Sequence, residues 1–165
     1  MRGVLGLRYT YLLALAIFLG GTIVIGGIAA PATFAALAGH DPAGGRILAG
    51  EVFGEVLRRF YLASYAAGGA LFFSLIVMAL LGPRPAGFFA RAGIAAVMLA
   101  LTLYSGLVLA AQITRLQKEI GVSVASLAAD DARRIRFGQL HGLSSVLMAI
   151  TGVGGLALLY WEAKE

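Results

Sequence analysis

Residues 60–81 read FYLASYAAGGALFFSLIVMALL, 22 consecutive positions without one ionised side chain. At 1.5 Å rise per residue, about 20 apolar residues cover the hydrocarbon core of a bilayer. Three other runs meet the same length: Tyr9–Leu37, Ala92–Thr114 and Phe137–Trp161. Four such runs define an all-α, polytopic membrane protein, a single domain over residues 1–165 built as a four-helix transmembrane antiparallel bundle. An even number of spans puts both termini on one membrane face.

Composition agrees. Hydrophobic residues make up 60% of the chain and charged residues 13%, against about 25% charged in a soluble domain. The 23 glycines suit membrane helices, whose backbones approach closely where side chains are small. No cysteine is present, which removes disulfides, thiolate metal sites and cysteine nucleophiles. The net charge of +5 points to anionic headgroups of the lipid bilayer. No dense basic run interleaved with aromatics supports nucleic-acid binding. The first apolar run exceeds the roughly 7–15 residues of a signal-peptide core, so it reads as a retained helix.

The boundaries follow from local chemistry. Pro31 lacks a backbone donor and predicts a kink near Gly27–Pro31. His40-Asp41-Pro42-Ala43-Gly44-Gly45 reads as a turn, placing His40 in a loop. The second helix starts near Arg46, ahead of its apolar run, and Gly82-Pro83-Arg84-Pro85 ends it. On this reading residues 48–58 lie in water. The third helix covers Gly87 to Lys118, and Ser126 or Asp130 caps the fourth. The ends that carry the termini hold Arg2, Arg8, Arg84, Arg91 and Lys164. The opposite ends hold Arg46, Arg58, Arg59, Arg115, Lys118, Arg133, Arg134 and Arg136. That excess leans the second set toward the cytoplasm.

His141 is the leading candidate for a functional role, one turn inside the fourth apolar run. An ionisable side chain within a membrane helix faces the bundle interior or water. It is expected to point inward, toward Gln112, Arg115 or the hydroxyls of Ser144 and Ser145. Its imidazole suits a packing hydrogen bond, proton transfer, or a haem or metal site, for which it is the one candidate ligand. No cofactor is otherwise expected, because Cys-x-x-Cys-His and His-Glu-x-x-His are absent. Glu55 and Arg59 stand four apart on a charged patch with Glu51 and Arg58, and Gln112 and Arg115 approach the same membrane face at about the depth of His141. Gly50-x-x-x-Gly54 and Gly26-x-x-x-Ala30 read as helix-packing motifs. No nucleophile elbow or phosphate loop is present, so catalysis is not expected.

Three stretches carry a family resemblance. They are Ala30-Pro31-x-x-Phe34-x-x-Leu37, Ala49-Gly50-x-Val52-Phe53-Gly54-x-Val56-Leu57-x-Arg59-Phe60-Tyr61, and Phe137-x-x-Leu140-His141-Gly142-Leu143-Ser144-Ser145. In order and spacing the chain resembles the transmembrane protein 205-like proteins, a four-helix membrane domain of unknown function. The resemblance implies four spans and a polar histidine at 141. Some eukaryotic relatives are associated with resistance to drugs and metal compounds, which hints at export or vesicle traffic. The short connection between the third and fourth helices departs from relatives with a longer polar insertion.

Two functions compete from here. One is a small transport or permeation module, a homo-oligomer whose hydrated path is lined by His141, Gln112, Arg115 and Glu55. The other is an accessory subunit packed against partner membrane subunits. A haem- or metal-binding redox role ranks below both.

Overall fold

The computed structural model describes residues 2–41, 44–82 and 84–164, with side chains from Leu5 onward. Arg2's side chain and the turn positions Pro42, Ala43 and Pro83 lie outside the described residues. Helix α1 has an α-helical stretch Arg2–Val24, a π-helical turn Ile25–Ala29 and a second stretch Ala30–His40. Helix α2 is Gly45–Leu81. Helix α3 runs through Phe88–Tyr104, a π turn Ser105–Leu109 and Ala110–Ile120. Helix α4 is Ala132–Glu162. Among the described residues there is no strand, and all four helices are long and apolar enough to cross a membrane.

Helices adjacent in chain order pack on one another, and α1 also packs on α4, so the bundle closes into a ring. Sequence periodicity explains which faces turn inward. On α3 the buried positions are Arg91, Ala95, Met98, Thr102, Ser105, Leu109, Leu116 and Ile120, spaced by three or four, and by seven from Leu109 to Leu116, as one helical stripe requires. On α4 they are Thr151, Gly155, Leu158 and Glu162. The apolar core is built from Tyr11, Leu15, Phe18, Leu71, Leu75, Met78, Met98 and Leu158.

The two π turns have a physical origin. The N–H of Ala30 bonds the carbonyl of Ile25, five residues back. This wider turn resets the hydrogen-bond ladder just before Pro31, which then sits in the first turn of the next stretch, where its missing donor is tolerated. The disruption expected at Gly27–Pro31 thus takes the form of a π turn. In α3 the N–H of Ala110 likewise bonds the carbonyl of Ser105.

Three boundaries differ from expectation. His40 is the last residue of α1 and not a loop residue, a favourable place for a basic group at the negative end of the helix dipole. Helix α3 continues past Lys118 and ends at Gly121, whose φ of 68° provides a left-handed cap. The cap of α4 is Asp131, one residue after Asp130. Its Oδ1 accepts the N–H of Arg133 at 2.8 Å. Ser126 belongs to a short 3₁₀ turn, donating to the carbonyl of Ser123. Arg134 anchors the connection by donating to the carbonyl of Leu127 at 2.6 Å.

Asp131 gives a first prediction. The Arg133 side chain, then the Arg133 backbone N–H, hold its carboxyl down at about 2 from an ordinary 3.8. Its native value lies below its unfolded one, so the stabilisation is full above the ordinary value and is lost as pH falls through about 2. Asp131→Ala should speed amide exchange at Arg133 and Arg134 at neutral pH, with Asp131→Asn close to the parent protein. Hydrogen exchange followed by mass spectrometry measures this, and unchanged exchange in Asp131→Ala would contradict the cap.

Candidate functional site

Cross-helix contacts fix the depth of the polar residues. Arg91 pairs with Glu162 and Met98 packs on Gly154 and Gly155, a register that sets His141 level with Gln112. Gly106 lies against Tyr61, and Gly50 against Gln117, a register that sets Gln112 level with Glu55. The three residues therefore share one layer. They do not converge in it.

His141 is exposed and stacks on Phe137, with ring centroids 6.1 Å apart and planes 5° apart. Among the described residues no side chain hydrogen-bonds its imidazole. The expectation that it points inward is corrected, and the reason is angular. The inward face of α4 runs through Leu140, Ser144, Met148 and Thr151, and one residue turns a helix by about 100°. His141, one step past Leu140, is carried to the flank.

Ser145 is exposed and donates to the carbonyl of His141 at 3.0 Å. Ser144 is half-buried and stands near the Tyr61 hydroxyl. Gln112 is half-buried and Arg115 exposed. Glu55 accepts from Arg58 at 2.7 and 2.8 Å and from Arg59 at 2.7 Å, all on the outer surface of α2. Exposed pairs of this kind contribute little to stability. Among the packing glycines, a Cβ on Gly26 would meet Met148 and one on Gly50 would meet Gln117. Gly54 is corrected: nothing lies within 4 Å of its Cβ direction, because it faces away from the bundle. Among the described residues no three His, Asp or Glu side chains cluster.

Two buried polar groups escaped the sequence reading. At the end of the bundle where the chain begins and ends, Glu162 accepts from Arg8 at 2.6 Å and from Arg91 at 2.5 Å. Arg91 is 1% exposed, and its guanidinium lies over the Tyr11 ring, 5.1 Å from the centroid. Read alone, Arg91 and Glu162 look like ordinary helix-end charges. The signal was the spacing of Arg91 with Ala95, Met98 and Thr102, which puts it on the core stripe.

The second group lies mid-bundle. A cavity of about 20 Å³ is lined by Thr22, Tyr61, Ser64, Thr102, Ser105 and Thr151 together with Phe18, Phe60, Leu147 and Met148. All four helices contribute a hydroxyl. These residues are scattered singly in the sequence, and only the register brings them into one layer.

A family model described as a domain of unknown function, DUF4149, matches residues 13–122. The chain belongs to that family. The match takes in most of α1, all of α2 and α3, and leaves out α4 with His141. No curated protein and no solved structure matches the chain.

Proposed function

We propose that this integral membrane protein is an assembly subunit, a closed four-helix unit that joins a second copy of itself through the outer face of α4. The supporting observation is the make-up of that face. Gly138, Gly142, Ser145 and Ala149 are all exposed, recur at spacings of four, three and four, and lie roughly opposite the core stripe. Nothing lies within 4 Å of the Cβ directions of Gly138 and Gly142. Helix α4 is also the least covered span, with 22% of its most apolar window buried against 39% for α2. Small residues at this spacing let two membrane helices approach backbone to backbone. Two copies share one orientation in the membrane, so their stripes meet at the same depth about a two-fold axis.

The interior favours this over a conduit along the bundle's own axis. Of the residues expected to line a path, His141, Arg115 and Glu55 are on the outside and Gln112 is half-buried. The hydroxyl cavity has room for about one water. We place the hydrocarbon between the Arg8–Arg91–Glu162 layer and the Glu55–Gln112–His141 layer. From Arg91 to Gln112 is 21 residues of sequence, about 32 Å of helix against a core of about 30 Å. Both termini then share one face, and His141 lies at the far boundary, where an exposed imidazole meets headgroups and water. The role is structural and not catalytic. The residues quoted above resemble those of the transmembrane protein 205-like proteins.

The test is the oligomeric state of the protein in native-lipid nanodiscs. The parent chain, 17.1 kDa, should run as a dimer, and Gly142→Leu as a monomer of unchanged thermal stability, since Gly142 touches nothing within its own bundle. A monomeric parent chain, or a Gly142→Leu variant still dimeric, would overturn the proposal. A different membrane protein bound at the α4 face instead would make the chain an accessory subunit of a larger complex.

A further inference from the structure

The Ser64 hydroxyl is 1% exposed and, among the described residues, has no hydrogen-bond partner. It borders the mid-bundle cavity. The surrounding hydroxyls are already committed as donors. Thr22 donates to the carbonyl of Phe18 at 2.8 Å, Thr102 to that of Met98 at 2.7 Å, and Thr151 to that of Met148 at 2.8 Å. Each threonine oxygen thus presents lone pairs to the cavity, while Ser64 has a proton to give. A water molecule answers both needs, accepting from Ser64 and donating to two of the threonine oxygens. The volume of about 20 Å³ exceeds the roughly 10–15 Å³ that one water requires, and a buried water needs two to four polar partners. A buried hydroxyl left unpaired would be destabilising.

The surroundings of the cavity are unequal. Toward the Arg91–Glu162 layer lie Phe18, Leu71, Leu75 and Met98, all buried and apolar. Toward the His141 layer the next groups are Ser105, the Tyr61 hydroxyl and Ser144, with Tyr61 near both serines. Ser105 opens the π turn of α3, and such turns recur where a helix is adapted to function.

We propose that the cavity is a water site, filled from the His141 end along Tyr61, Ser105 and Ser144 and sealed on the other side by the apolar core. This is independent of assembly through α4.

The native chain has no cysteine, so a single introduced thiol is an unambiguous reporter. Ser64→Cys and, as control, Leu75→Cys would be made in sealed proteoliposomes of known orientation and exposed to silver ion, small and soluble in water only. Reaction is read as loss of later maleimide labelling after denaturation. The Ser64→Cys thiol should react at least about tenfold faster than the Leu75→Cys thiol, and only with silver on the His141 side; Ser105→Cys serves in the same way if Ser64→Cys does not fold. A high-resolution structure should show a water within hydrogen-bond range of Ser64 Oγ, about 2.5–3.0 Å. Equal, slow reaction at 64 and 75 would overturn the water site. Equal reaction from both sides would overturn the route. An empty cavity with Ser64 turned onto a carbonyl of its own helix would overturn both.

Discussion

Glu162→Leu should destabilise the folded protein by about 3–5 kcal/mol, the usual size when one partner of a buried ion pair is removed. Glu162 is the shared acceptor of Arg8 and Arg91, and it joins the start of α1, the start of α3 and the end of α4. Without it, Arg8 can turn to water, its side chain being 44% exposed. Arg91 cannot, at 1% exposure, and it loses the carboxylate to which it donates at 2.5 Å. A second change should offset the first. In Glu162→Leu/Arg91→Met an apolar pair of similar volume replaces the ions, and much of the lost stability should return. Unfolding of the parent, both single variants and the double variant in one detergent gives the coupling directly. Single variants within about 0.5 kcal/mol of the parent, the range of ordinary surface substitutions, would mean that the cluster does not hold the helix ends together.

Gly106→Ala should be the most harmful glycine substitution within the spans, at about 1–3 kcal/mol, the range for overpacking. The new methyl group would collide with the Tyr65 hydroxyl and approach the Tyr61 ring, 2.8 Å from Cγ. The two rings stack at 6.2 Å with planes 16° apart, so neither can swing aside without losing its neighbour. Tyr65→Phe in the same chain removes the nearest colliding atom and should recover part of the loss. Gly54→Ala, with open space at its Cβ, should be neutral or gain up to about 1 kcal/mol from helix propensity. Thermal unfolding of the variants ranks them, and a Gly106→Ala variant as stable as the parent would contradict the close approach of α2 and α3.

Gly54 and His141 show where the sequence misled. The apolar runs gave the four spans because twenty-odd residues without charge have one physical explanation. A Gly-x-x-x-Gly pair says that a helix can be approached closely and nothing about which side is. Gly50 meets α3 while Gly54, one turn on, faces outward. His141 was read as inward-facing because a histidine in hydrocarbon needs a partner. The core stripe of α4, through Thr151, Gly155, Leu158 and Glu162, already turned it outward when extended back to Ser144 and Leu140. The hydroxyl layer was hidden for a different reason. Thr22, Ser64, Thr102 and Thr151 are unremarkable in sequence, and only the antiparallel register makes them neighbours. The same register exposes the ion cluster, since Arg8 and Glu162 lie at opposite ends of the chain.

Assembly through the outer face of α4 is tested most directly by single-cysteine crosslinking in native membranes. Gly138, Gly142, Ser145 and Ala149, each replaced by cysteine in this cysteine-free chain, should give oxidised dimers in high yield. Leu140, Ser144 and Thr151, on the inward face, should give almost none. Yields that are negligible throughout, or that ignore which face the cysteine occupies, would contradict the account.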